Sequence, residues 1–374
     1  MSLTIRKITA PADIKKFVEF PFELYKDNRY WVPPIKMDEM RSLDPDKNPS
    51  FKYITSAFWL AERDGKVVGR IGAIIHHKSN EINNEKLCRL TRFECIDDNE
   101  VAQLLFHTAE QFALDNGMEG IHGPLGFSNL DHQAVLVEGF EELPSVASEY
   151  HFPYYQTLFE KNGYTKQTDW IEFKLKVLEQ IPEKALRINE IIKKKYNLTV
   201  KSFHSTAEMK PYSLKIFHLL NASFSELFSF VPMPDEVLQF YIDKYITILN
   251  PAFVKVVEDK DGEVIGFIIS LPSLSEAMQK AKGKVFPFGW WHIKKALKKP
   301  KVADLLLTGV HPDWQAQGVS ALLITELQQI MIHHGVEWVE TTGMIETNEK
   351  AINHWKNYEH VQHKRKRCYI KMLK

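Results

Sequence analysis

The residues with the clearest chemical potential lie in LLLTGVHPDWQAQGVSALLI, from Leu305 to Ile324. An apolar run leaves through Val310, turns at His311-Pro312-Asp313 and enters an amphipathic helix around Gln315–Ser320. Gly318, in the first turn, has no Cβ to keep a ligand off the backbone. The amides of Gln317, Gly318, Val319 and Ser320 then point out of the helix start, with the positive end of the dipole behind them. That arrangement suits a pyrophosphate. The stretch lacks the Gly-Lys-Ser/Thr of a P-loop and the upstream glycines of a dinucleotide fingerprint. The chain has no Gly-x-Ser-x-Gly elbow that would present a serine nucleophile. His76-His77 and His333-His334 are adjacent pairs whose rings point apart, and no Cys/His cluster completes a ligand set, so no metal is expected.

The elements that position this loop are written twice in the chain. FWLAERDGKVVGRIGAII at 58–75 and FVKVVEDKDGEVIGFIISL at 253–271 are each two apolar runs around an Asp-Gly turn, a hairpin signature. NGMEGI at 116–121 is echoed by HGVEWV at 334–339, and LFEKNGY around Phe159 by HWKNYEH around Trp355. The three blocks keep their order, which predicts two copies of one fold. Each half reads as strand, two helices, three strands, helix, strand, helix, strand, an α+β layout with helices on a mixed sheet. Residues 26–55 and 123–144 read as mostly irregular. Residues 178–197 read as a helical connector, with Leu186, Ile188, Ile191 and Ile192 at docking positions. The second half carries an insertion at 272–301 that holds Phe286, Phe288, Trp290 and Trp291 beside Lys294, Lys295, Lys298 and Lys299. It reads as a lid over the cleft or a cover for the joint between the halves, with contact to a membrane surface as the alternative.

The 374 residues suffice for two domains, and 44% apolar with 26% charged side chains is ordinary for a globular protein. The 48 basic and 48 acidic residues cancel, so no overall field favours nucleic acid. KKALKKPK at 294–301, KKK at 193–195 and KRKR at 364–367 read as solvated faces. Cys88, Cys95 and Cys368 leave one thiol unpaired in any disulfide scheme, which points to a reducing compartment. No apolar run of membrane-spanning length occurs, so the expectation is a cytoplasmic protein without stable membrane insertion.

The order of elements, together with Gln315-Ala-Gln-Gly318-Val-Ser320 and Asn348-x-x-Ala351-x-x-x-Trp355-x-x-Tyr358, resembles the GNAT (GCN5-related) N-acetyltransferase superfamily, in particular bacterial proteins with two fused GNAT-like domains. The resemblance implies tandem α+β folds, each a mixed, mostly antiparallel sheet flanked by helices. It divides the chain into a degenerate domain at 1–178, a connector at 179–197 and an acyl-CoA-binding domain at 198–374. Gln315, Ala316, Gln317, Gly318, Val319 and Ser320, with Asn348, would hold acetyl-CoA or another acyl-CoA. The oxyanion would be met by a backbone amide around Gly309-Val310.

An amine acceptor must lose a proton before it attacks the thioester, and Asp304 and Glu340 are the candidate bases. Glu226 lies on the segment that would line the acceptor pocket. Trp355 stands where the superfamily has the tyrosine that protonates the departing thiolate, so Tyr358 becomes the candidate acid. In the first half, IDDNEVAQLLF at 96–106 has no glycine and carries Asp97, Asp98 and Glu100, which would repel a pyrophosphate, and Phe159 takes the tyrosine position. The implied function is direct N-acyl transfer, acetyl in the first instance, to a small-molecule or peptide amine by a monomer or homodimer. The alternatives are a non-catalytic acyl-CoA or small-molecule binder and an aminoacyl transferase of the tandem type.

Overall fold

The computed structural model describes residues 2–356 and 358–373. The first half contains β1 (Leu3–Lys7), α1 (Pro11–Leu24), α2 (Lys36–Ser42), β2 (Ile54–Arg63), β3 (Lys66–His76), α3 (His77–Asn83), β4 (Leu87–Cys95), α4 (Asn99–Asp115), β5 (Gly120–Gly123), β6 (Val135–Glu138), α5 (Tyr154–Lys161) and β7 (Thr165–Lys176). The connector is α6 (Glu183–Tyr196). The second half contains β8 (Thr199–Ser202), α7 (Thr206–Ser223), α8 (Asp235–Tyr245), β9 (Val254–Glu258), β10 (Val264–Pro272), α9 (Ser275–Ala281), α10 (Gly289–Lys298), β11 (Val302–Val310), α11 (Val319–His333), β12 (Trp338–Thr341), β13 (Met344–Ile345), α12 (Glu349–Asn353) and β14 (His360–Met372).

The repeat is real in space. Asp64 and Gly65 both take positive φ, which closes the β2–β3 hairpin with Arg63 opposite Lys66. Gly69 and Gly266 do the same job in the two halves. A Cβ on Gly69 would meet Leu105 and Val101 of α4, and one on Gly266 would meet Val319 and Leu323 of α11. Each glycine lets a helix sit down on its strand.

All strands join one 14-stranded sheet with the path β1-β2-β3-β4-β5-β14-β7-β12-β11-β10-β9-β8. Pairing is antiparallel except at β4–β5 and β11–β12. The two halves exchange their closing strands. The last strand of the chain, β14, lies against β5 of the first half, while β7 of the first half lies against β12 of the second. β7 and β14 pair with each other along their length, from His360 opposite Leu175 to Ile370 opposite Thr165. The sheet therefore runs across the boundary expected at 178.

Several expectations change. The stretch 26–55 includes α2, and 123–144 includes β6. The helix expected over 348–358 is the short α12, and Asn357 lies outside the described residues. The KRKR run is no solvated strand end. Lys364 and Lys366 are buried, and both pair with Glu172 of β7, at 3.3 and 3.0 Å. Arg367 grips the two oxygens of Asp169 at 2.8 and 3.0 Å. Those partners sit about two hundred residues away, a separation that hydrophobic periodicity does not register. In α6, Leu186, Ile188 and Ile191 face solvent; docking runs instead through Ile192, Tyr196 and the Lys193–Glu326 pair at 2.8 Å.

Candidate cofactor and active site

β11 and β12 run in parallel register only from Val302–Trp338 to Leu305–Thr341, and then separate. At the fork β11 carries a bulge: Ile269 of β10 faces Leu307 while Ser270 faces Leu305, which leaves Leu306 extra. The bulge turns two successive carbonyls to the fork. Thr342 takes both, its amide bonding Leu305 at 3.1 Å and its hydroxyl bonding Leu306 at 3.0 Å. Beyond the bulge, the amide of His311 donates to Ile265, so strand alternation sends the amide of Gly309 toward β10 and those of Thr308 and Val310 into the fork. Of the expected oxyanion pair, Val310 directs its amide into the fork and Gly309 does not; Thr308, which the sequence did not single out, directs its amide there too. Gly309 matters for space, since a Cβ there would strike Phe267 and Ser223.

The chain then turns through Pro312–Trp314 and enters α11 at Gly318, whose φ of 87° is left-handed. Ala316 is left-handed as well, at 63°. Among the described residues no protein group accepts from the amides of Gly318, Val319, Ser320 or Ala321, and Leu322 is the first to bond back, to Gly318 at 3.0 Å. Gln315 and Ala316 are exposed, and Gln317 ties its side chain to the Asp313 carbonyl. The missing Cβ of Gly318 has a use beyond ligand approach: Ile192 Cδ1 of the connector would lie 2.4 Å from it. The loop is thus an open donor array at a helix start, fitted to a pyrophosphate and braced by α6.

The matching place in the first half is closed by its own side chains. Asp98 caps α4 by accepting from the amides of Glu100 and Val101, and Arg63 pairs with both Asp98 and Glu100. Cys95 pairs with Gly69 as Val310 pairs with Gly266, and its amide donates to the Tyr155 hydroxyl at 3.2 Å. Tyr155 and Tyr25 in turn hold Glu94, whose carboxyl is pushed up to about 7 by burial. Phe93 stacks on Phe106 and Phe159 on Tyr369, so aromatic rings fill what is a fork in the second half.

Asp304 lies two residues before the bulge, fully buried, and neither carboxylate oxygen has a hydrogen-bond partner. Burial, reinforced by the charge of Glu340, pushes its carboxyl up to about 7, with the charge of Lys364 opposing. Glu340 sits beside it on β12 but is already engaged, with Lys364 at 3.1 Å and Lys174 at 3.8 Å. Glu142, Glu340 and His363 bring ligand atoms within 4.8 Å of one another, a geometry that sequence spacing missed. The two ammonium groups on Glu340 oppose a cation there. The other residues scatter. Asn348 spends its side chain capping α12, accepting from Ala351 at 3.1 Å. Glu226 is exposed, and among the described residues it forms no ion pair. Trp355 is buried in the core beside α11. Tyr358 faces Gln328, and burial raises its pKa. Gln328 lies nine residues beyond Val319, about 14 Å down the axis of α11.

Residues 214–358 match the acetyltransferase (GNAT) family. Protein YghO of Escherichia coli strain K12 is 26% identical over 378 residues, 99% of this chain and 95% of that protein. A bacterial ceramide synthase of Caulobacter vibrioides is also 26% identical, over 383 residues, 99% of this chain and 98% of that protein. Among solved structures, a tandem GNAT protein from the clavulanic acid biosynthesis pathway superposes with a TM-score of 0.57 at 14% identity, covering 99% of this chain and 98% of that one. A glucosamine N-acetyltransferase region of a fungal multi-domain enzyme gives 0.55 at 12%, over 99% of this chain and 38% of that one. Residues 214–358 thus match the GNAT acetyltransferase family, and the chain as a whole shares the fold of a tandem GNAT protein.

Proposed function

We propose that the protein is an acyl-CoA-dependent N-acyltransferase whose second half binds the thioester and whose first half is a scaffold that has lost the cofactor. The observation that carries this reading is the set of unpaired amides at the start of α11, next to a fork where Thr308 and Val310 point theirs at the same opening. A pyrophosphate on the helix start would send the pantetheine arm into the fork, where the two strand amides would polarise the thioester carbonyl. Asp304, buried and with free oxygens, is the group to take the proton from an ammonium acceptor. Attack is direct, because Cys88, Cys95 and Cys368 are all buried and lie outside the fork. Water takes the place of a tyrosine acid in this scheme, since the Trp355 indole, which donates to Met344, is too weak an acid and Tyr358 faces Gln328.

The acceptor side is the face of β11 opposite α11. There Leu306 packs with α9 and α10, and an open depression of about 450 Å³ is lined by Arg29, Tyr30 and Leu143 of the first half with Glu276, Gln279 and Lys280 of the second. A ceramide is the amide of a fatty acid and a long-chain amino alcohol. The relative with that activity makes a fatty-acyl donor and a lipid amine the reading to try beside acetyl-CoA and soluble amines. The test is release of free CoA from acetyl- and palmitoyl-CoA against sphinganine and a panel of water-soluble amines, with product amide identified by mass. Amide formation supports the reading. Tight CoA binding without turnover on any acceptor would favour a binding protein.

A further inference from the structure

The insertion between β10 and β11 does not cover the joint with its aromatic rings, as the sequence suggested. Its first part does that work. Ser275 donates to the Pro144 carbonyl at 2.7 Å, and Gln279 donates to the carbonyls of Arg29 and Trp31 at 2.8 and 3.1 Å. The rings point outward: Phe286 and Phe288 are 75% and 73% exposed, Trp290 and Trp291 46% and 51%. Large exposed aromatic patches on a soluble protein mark a surface meant to be covered.

On α10 the two faces are cleanly divided. Ile293, Ala296 and Leu297 turn inward and pack with Leu271, Leu274 and Met278. Trp290, Trp291, Lys294, Lys295 and Lys298 turn outward. From Lys280 to Lys301 the sequence contains no Asp or Glu. Among the described residues Lys282, Lys284, Lys294, Lys295, Lys298 and Lys299 form no ion pair, whereas Lys280 and Lys301 pair with Glu276 and Glu337. In a chain of zero net charge, six unpaired ammonium groups around four exposed rings form a local basic and aromatic surface. A protein partner would need a matching acidic and apolar face. A bilayer with anionic headgroups supplies both parts at once, because indole and phenyl rings settle at the headgroup level and lysines reach the phosphates.

We propose that residues 282–299 dock the protein on the surface of an anionic membrane without spanning it. No described helix is long and apolar enough to cross one. The docked helix also lies against the acceptor side, since Leu306, the bulge residue at the fork, belongs to the same packed cluster as Ile293 and Leu297. Docking there would bring the fork close to amines held in the membrane. The surface stands on its own residues, and its test needs no turnover.

The full chain is sedimented with vesicles of phosphatidylcholine alone or mixed with phosphatidylglycerol. Binding to the mixed vesicles is expected, with release by salt and little binding to phosphatidylcholine alone. Replacing Lys294, Lys295, Lys298 and Lys299 by Ala should weaken partitioning by a hundredfold or more, from about fivefold for each lysine near the surface. Trp290→Ser with Trp291→Ser should also weaken it, and should abolish the blue shift of tryptophan emission on vesicles. Unchanged thermal unfolding of the variants shows that they fold, as expected for exposed positions. The proposal is overturned if the wild type ignores anionic vesicles, or if the lysine variant binds them equally well. It is also overturned if the wild type is a dimer that the tryptophan variant disperses, for then a second copy covers the rings.

Discussion

Asp304 carries the sharpest contrast at the scale of single residues: it is buried without a partner, while its neighbour Glu340 is held by two lysines. A carboxyl raised to about 7 gives up its proton in the physiological range, so activity that depends on it rises with pH through about 7. Asp304→Asn should lower kcat by roughly 10²–10⁴-fold and remove that limb of the pH profile. Stability should move the other way. The folded pKa lies above the unfolded one, so the native state holds the proton longer and wild-type stability falls as pH rises toward and past 7. The variant escapes this, and should be more stable than wild type at pH 8 by about 1–3 kcal/mol, with a smaller difference at pH 5. Lost activity with unchanged or lower stability at pH 8 would mean that Asp304 is not an unpaired buried acid. Tyr358→Phe, by contrast, should leave kcat within about twofold, because the hydroxyl is turned to Gln328 of α11. A loss near 10²-fold or more would place Tyr358 at the thiolate after all.

The starts of α4 and α11 show what local sequence can reveal at the scale of elements. Gly318 and the acidic Asp97–Glu100 stretch announced one open and one closed helix start, because the chemistry of a helix N-terminus is set by the few residues around it. The fork was harder to see. That Thr308 as well as Val310 faces it depends on a one-residue bulge, and that Ile192 fills the space at Gly318 depends on how α6 docks; neither leaves a mark in spacing. Titration calorimetry should give one CoA per chain, and Gly318→Glu should abolish it, by strain at positive φ, collision with Ile192 and added negative charge. Two sites per chain would overturn the closed reading of α4. The KRKR run of β14 was read as a solvated face for a related reason: its lysines are neutralised by β7, far away in sequence. Glu172, pushed down to about 2 chiefly because Lys366 and Lys364 outweigh its burial, holds that pairing together. Its contribution is present above the ordinary carboxylate range and is lost as pH falls toward 2. Glu172→Ala should cost about 3–5 kcal/mol at pH 7, since buried Lys366 loses its carboxylate and Lys364 one of its two, and less in acid; denaturant unfolding at two pH values checks it.

For the whole molecule, repetition in the sequence predicted two folds but not that they trade strands, since β7 and β14 look alike whichever sheet they close. Cutting the chain at 197 would strip β12 of β7, and β14 of β5, β6 and β7, leaving unpaired edges on both sides of the break. The 198–374 fragment alone should therefore be insoluble or form higher oligomers. A cut in the exposed stretch at 179–180, between β7 and α6, breaks no strand pairing. Residues 1–179 and 180–374 made together in one cell should associate one to one, because β14 lies between β5 and β7 and the Asp169–Arg367 and Glu172–Lys366 contacts cross the join. The pair should co-purify through a tag on either piece and bind CoA as the intact chain does. Should 198–374 instead run as a stable monomer with full CoA binding, the exchanged strands would be dispensable and the first half an appendage.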